Sequence, residues 1–193
     1  WDEARDARRY SGPWPVVAHP PCARWGRYWH GGPSSKTRLK KGDDGRCFEH
    51  ALASVRQWGG VLEHPEASHA WAAFGLAAPP RSGGWTVADF VGGWTCCVAQ
   101  RHYGHRARKA TWLYVCRLKP PLLRWGAGPP GVRLDAGYHT ASERAASRLR
   151  DPEAHRRRDV ERMGKVECAA TPLPFRDLLI SMAESVTAAR EVA

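Results

Sequence analysis

"GRCFEHALASVRQWGGVLEHP", residues 45–65, is the stretch whose reading decides the fold. Phe48, Ala51, Leu52 and Val55 recur at steps of three and four, which gives one apolar stripe and predicts a helix over about residues 45–57. Gly59-Gly60 supplies its stop. The run "GVLEHP" that follows is a short apolar strand closed by a polar residue and Pro65. Upstream, "PVVAH" at 15–19 is a second short apolar run, ended by Pro20 and Pro21, which neither continue a ladder nor start a helix smoothly. Between the two lies 23–44, whose Gly, Pro, Ser and six Lys or Arg residues give it the composition of a surface loop. Strand, loop, helix, strand is a crossover unit, and such units join parallel strands. The expected fold is therefore α/β, a Rossmann-like, mostly parallel sheet with flanking helices and a basic helical C-terminal tail.

Further along, a short helix is expected at 66–74, before the Pro/Gly-rich "GLAAPPRSGGW" at 75–85. Two more strands are expected, "WTCCVAQ" at 94–100 and "TWLYVCRL" at 111–118, separated by the polar turn "RHYGHRARKA". After "KPPLLRWGAGPPG" the chain turns charged, with helical segments over 141–163, and the stretch from Phe175 again places apolar residues at helical spacing. The organisation read from this is a core over 1–125 and a helical tail over 126–193, packed on the core or extending from it. "GAGPPG" at 126–131 fits a GxGxxG pattern, but two prolines stand where a helix should open, so it reads as a turn.

At 193 residues and 42% hydrophobic content, the chain is long enough for one domain with a proper core. The net charge of +11, with 30 Lys and Arg that are mostly Arg, suits a polyanionic partner; Arg accumulation without function is the plainer alternative. Six cysteines form no CxxC pair and no regular spacing, which argues against a zinc ribbon or a disulfide framework and for a reducing, cytoplasmic compartment. No apolar run approaches the ~20 residues needed to span a bilayer, so no membrane partner is expected.

Ligands in open parallel sheets bind outside the carboxyl ends of the strands. Cys22 follows one predicted strand and Glu63 ends the next, so parallel pairing puts a thiol and a carboxyl on one rim. Each also has an ordinary reading, Cys22 as a small packing residue and Glu63 as a surface carboxylate.

The order "HPPC" (19–22), "GVLEHP" (60–65) and "QRHYGHRARKATWLYV" (100–115) resembles the DNA cytosine-5 methyltransferase superfamily, in particular its divergent phage-encoded members. There a Pro-Cys motif follows one strand, a Glu-Asn motif ends the next, and a motif opening with Tyr-Gly or Phe-Gly precedes a further strand. The resemblance covers roughly residues 14–118, and the ending "VECAATPLPFRDLLISMA" (166–183) invites comparison with phage proteins carrying the same motifs. It implies Cys22 as the nucleophile that adds to carbon six of a flipped pyrimidine, and Glu63 as the carboxyl that contacts and protonates the ring nitrogen. His19, Pro21, His64, Lys109 and Thr111 would line the base pocket. Arg24, Trp25, Arg27, Tyr28, Lys40, Lys41, Arg106 and Arg108 would meet DNA, with aromatics and cations together suiting stacking and phosphate contact.

The resemblance further implies DNA as partner, a phage or prophage origin, and a bacterial host cytoplasm. This sequence departs from the family pattern at Ala23, where Gln is usual, at His64 after Glu63, and at Lys109 in place of Arg. The methyl donor, S-adenosylmethionine, is held in the family by a half-domain before the Pro-Cys motif. That binding motif is absent here, so a protein partner or oligomer would have to supply the missing elements. Two rival readings stand beside this one. His19, His64, His69, His102 and His105 with Glu63 could form the metal site of a nuclease, or the protein could bind nucleic acid without catalysis.

Overall fold

The computed structural model describes residues 6–26, 28–30, 39–128, 132, 134 and 163–191. Five strands make one sheet: β1 (Val16–Ala18), β2 (Gly60–Pro65), β3 (Trp85–Val87), β4 (Trp94–Ala99) and β5 (Ala110–Cys116), in the order β1-β2-β5-β4-β3. Helix α1 (Cys47–Trp58) and the short α2 (His69–Ala73) lie between β1 and β3 in sequence, and α3 (Lys165–Ala169) and α4 (Leu173–Glu191) follow β5. No helix among the described residues is long and apolar enough to cross a membrane.

The crossover from β1 through α1 to β2 joins a parallel pair, with Val16 opposite Gly60 and Ala18 opposite Leu62. The rest of the sheet corrects the expectation of mostly parallel strands, because β2–β5, β5–β4 and β4–β3 are all antiparallel. Connection length explains the difference. Only Ala88–Gly93 separates β3 from β4, and Gln100–Lys109, with a 3-10 turn over Gln100–Tyr103, separates β4 from β5. Neither connection contains the helix that a return to parallel order requires. β3 itself was not expected; it lies at the end of a stretch whose Gly and Pro content reads as a connector.

Alternation along the strands sorts the core into two layers. Leu62, His64, Trp112, Tyr114 and Cys97 face α1 and α2, where they meet Phe48, Leu52, Val55 and Trp71. Val61, Leu113, Val115, Cys96 and Val98 face the other way and are covered by Phe175, Leu179 and Met182 of α4. The chain beyond residue 126 therefore contributes a core helix, its apolar residues recurring at steps of three and four. The charged stretch over 141–163 falls, except for Met163, outside the described residues.

The first turn of α1 is held by Asp44, whose Oδ2 accepts from the Phe48 amide at 2.9 Å and from the Trp25 indole at 2.7 Å. One carboxylate thus supplies the helix start and anchors the loop that follows β1. At the other end the Gly59 amide donates to the Val55 carbonyl at 2.9 Å, Gly59 adopting a φ of 86°, and the chain turns at once into β2.

Candidate functional site

The carboxyl ends of the parallel pair carry the site. Because Ala18 is opposite Leu62, the next residue, His19, comes beside Glu63. The His19 ring Nδ1 lies 2.9 Å from Glu63 Oε2. The other carboxylate oxygen, Oε1, accepts from Gln100 Nε2 at 3.3 Å. Gln100, fully buried, also donates to Thr111 Oγ1 at 2.9 Å, and the Thr111 hydroxyl donates to the Lys109 carbonyl at 3.2 Å. The chain of donors has one direction. Thr111 spends its only proton on Lys109, so it must accept from Gln100, and this fixes Gln100 with its nitrogen toward Glu63.

Cys22, four residues beyond the end of β1, is exposed. Partial burial of the sulfur pushes its thiol above the ordinary value, the Glu63 charge adds to this, and the Lys109 ammonium works against it. Burial likewise pulls the Lys109 ammonium down, opposed by Glu63, Cys168 and Cys22. Lys109 Nζ is already committed, donating to the Ala169 and Ala170 carbonyls at 3.1 and 2.7 Å, where it closes the C-terminal end of α3. His19, Glu63, Gln100, Thr111 and Lys109 therefore form one hydrogen-bonded run between β1, β2, β5 and α3, and the Cys22 thiol is near enough to feel the charges of Glu63 and Lys109.

Other expected site residues lie elsewhere. His64 follows Glu63 on an extended strand and so points to the opposite face, fully buried with its ring 5.3 Å from Phe48 and 6.3 Å from Trp71. It does not line a pocket with Glu63. Neither ring nitrogen makes a well-formed hydrogen bond, although the Pro21 carbonyl lies toward the ring. Burial lowers the His64 pKa to about 4. The neutral ring is favoured on folding, so its contribution is complete above the unfolded value near 6.5 and is lost as pH falls from there toward 4. The loss is about 3 kcal/mol by linkage. Urea unfolding at pH 7 and pH 4.5 should therefore show a smaller drop in His64→Leu than in wild type, and equal drops would contradict this.

Trp25, expected as a stacking surface for bases, is only 7% exposed and packs against Phe48 and Phe74 with centroids 6.0 and 5.7 Å apart. An indole whose N–H is bonded to Asp44 and whose ring packs against two aromatic side chains is a core residue. Thr111 is buried. Pro21, Tyr28, Lys40, Lys41 and Arg108 are exposed and Arg24 half-buried, Lys41 lying 5.2 Å over the Trp29 ring. Arg106 pairs with Glu167 at 2.7 Å. Arg27 lies outside the described residues. Among the described residues no three His, Cys, Asp or Glu side chains gather where they could hold a metal ion; the turn of His64 to the far face separates the histidines proposed as ligands.

Two groups escaped the sequence reading. Gln100 was legible only as the polar end of the strand "WTCCVAQ". Asp89, in "ADFVGGW", carries the mark of a side-chain-closed turn, Asp before paired glycines. Its Oδ1 accepts from the Val91 and Gly93 amides at 3.0 and 2.9 Å, and its Oδ2 from Arg56 Nη2 and the Tyr114 hydroxyl, both at 2.8 Å.

No family model, curated protein or solved structure matches this chain.

A dinucleotide-like or adenosyl donor is held by a glycine-rich turn after a parallel strand, where the backbone can approach it closely. The segments leaving β1 and β2 are "HPPC" (19–22) and "EAS" (66–68), and neither contains a glycine. The described residues do not fit S-adenosylmethionine.

Proposed function

We propose that this protein modifies DNA, acting on a flipped pyrimidine through Cys22 in the manner of the cytosine-5 methyltransferases it resembles. The observation that supports the reading is the parallel pairing of β1 and β2, which leaves Cys22 beyond one strand end and Glu63 at the other, with Glu63 and Lys109 in charge reach of the thiol. In the proposed reaction the Cys22 S–H bond breaks as the sulfur bonds to carbon six, the 5,6 double bond shifts its electrons toward the ring nitrogen, and Glu63, in its protonated form, gives that nitrogen its proton and is reprotonated by the one that left the thiol. Gln100 and His19 would hold Glu63 in place. The net charge of +11 favours a polyanionic substrate.

A duplex oligonucleotide carrying a 5-fluoropyrimidine tests this, because such a ring retains the sulfur bond once it is formed. Wild type should give a complex that survives denaturation and Cys22→Ser none; equal yields from the two would dispose of the covalent mechanism. The second reading, nucleic-acid binding without catalysis, is supported by the turns after β1 and β2, which among the described residues offer no glycine-rich cradle for a donor. It predicts DNA binding unchanged by Cys22→Ser and no trapped complex from either protein.

A further inference from the structure

One row of pairings crosses the whole sheet at the end away from Glu63: Val16 opposite Gly60, Gly60 opposite Cys116, Val115 opposite Trp94, and Trp94 opposite Val87. Beyond that row lie Trp14 before β1, the turn from Ala88 to Gly93 between β3 and β4, and Arg117 and Lys119 after β5. Neighbouring strands stand about 4.8 Å apart, so this end measures about 19 Å from β1 to β3.

Its surface is apolar where a turn is normally polar. Phe90 is 111% and Val91 61% exposed at the tip of the turn, with Val87 and Trp94 exposed at its base and Trp14 on the β1 side. Val87 and Trp94 are cross-strand neighbours, and α4 packs mainly on β1 and β2, which leaves them bare. The turn cannot fold this surface inward. Asp89 Oδ1 accepts from the Val91 and Gly93 amides, the Ala88 amide donates to the Gly93 carbonyl at 2.8 Å, and Gly93 lies directly against the Tyr114 ring. A buried carboxylate thus fixes a turn that projects two apolar side chains into water. An apolar patch held exposed marks an interaction surface, and ordering it in advance removes that cost from binding.

Cations stand behind the tip. Cys116 Sγ lies 3.8 Å from the Val91 carbonyl, which puts the next residue, Arg117, at the base of the turn, its Nε donating to the Arg56 carbonyl at 2.8 Å. Arg117 and Lys119 are exposed, and neither pairs with a carboxylate among the described residues. Of the acids on elements that reach this end, Asp89 is buried against Arg56, and Glu184 of α4 comes two residues before Val186, which packs on Gly59.

We infer that this end of the sheet docks on the surface of an anionic phospholipid bilayer. Phe90 and Val91 enter the boundary between headgroups and acyl chains, Trp14 and Trp94 lie at the headgroup level, and Arg117 and Lys119 meet lipid phosphates. The layering favours lipid over nucleic acid. Indoles suit the membrane interface, and cations behind an apolar tip match headgroups above acyl chains. Valine offers a base neither a stacking face nor a hydrogen bond. Contact of this kind needs no spanning helix. It leaves the carboxyl ends of β1 and β2 facing away from the bilayer, so the inference does not rest on the proposed function.

The test is co-sedimentation of the full chain with vesicles of phosphatidylcholine alone and of phosphatidylcholine mixed with phosphatidylglycerol. Wild type should bind the mixed vesicles far better than the neutral ones, and added salt should weaken the binding. The double variant Phe90→Ser, Val91→Ser should bind about tenfold or more weakly, and Lys119→Gln about fivefold. Both should melt with wild type, since the changed side chains are exposed. Failure of wild type to bind mixed vesicles, equal binding to neutral ones, or equal binding by the double variant would overturn the inference. Self-association or oligonucleotide binding that is lost in the double variant, with no vesicle binding by wild type, would assign the surface to a second copy or to nucleic acid instead.

Discussion

Gly60→Ala should cost this protein its folded state or leave it barely stable. Gly60 opens β2 at φ of 116°, a conformation L side chains rarely adopt, and it pairs with Val16 across the parallel ladder. A Cβ there would collide with the Val16 carbonyl oxygen and lie 2.7 Å from the Val16 nitrogen. These are backbone atoms of the paired strand and cannot swing away as a side chain would. The substitution must separate β1 from β2 or rebuild the turn after α1, where Gly59 is equally confined by Val186 of α4. Strain of this kind costs about 1–3 kcal/mol before any lost pairing is counted, against a total of about 5–15 kcal/mol for a typical domain. Urea unfolding should show a midpoint lowered by more than for any surface substitution. The His19–Glu63 hydrogen bond should break with it, since strand pairing is what brings those two residues side by side. A wild-type midpoint would mean that β1 is not held to β2 as described.

Asp89→Ala is the second large effect. Asp89 is 6% exposed on its side chain, and four donors converge on its carboxylate: two turn amides, the Arg56 guanidinium and the hydroxyl of the fully buried Tyr114. Alanine leaves all four without their acceptor and leaves Arg56, itself largely covered, without its counter-charge. Removing one partner of such a pair costs about 3–5 kcal/mol, because the remaining charge and hydroxyl stay desolvated. Asn should cost less, since one oxygen can still accept from the turn amides. Burial by itself would raise the Asp89 carboxyl, but Arg56, the Gly93 amide and Tyr114 outweigh it and hold the carboxyl below the usual range. The contribution is therefore present at neutral pH and lost as pH falls through the folded value. Denaturant midpoints at pH 7 should separate wild type, Asn and Ala in that order; an Ala midpoint within experimental error of wild type would show that the network carries no stability.

Much of the architecture was open to a reader of the chain. The stripe of Phe48, Ala51, Leu52 and Val55 and the glycine pair after it mark α1 and its end, because helical periodicity and a left-handed stop are local properties. The same locality carries β2 and the approximate positions of β4 and β5. The neighbouring ends of β1 and β2 also followed, since a crossover helix leaves two strands running the same way and so brings their ends to one edge. β3 was hidden because three residues flanked by Gly and Pro give too little alternation to register as a strand.

The sequence by itself determined the crossover and the α/β class of fold, both of which depend on residues close together along the chain. Only the tertiary structure decided that the remaining strands run antiparallel, because direction depends on what a short connection can span. It alone placed His64 on the far face from Glu63, drew Trp25 into the core, and set Gln100 and His19 on the two carboxylate oxygens. Those outcomes depend on which face of a strand meets which helix, and that is settled when distant segments pack, with α4 covering one side of the sheet and α1 the other.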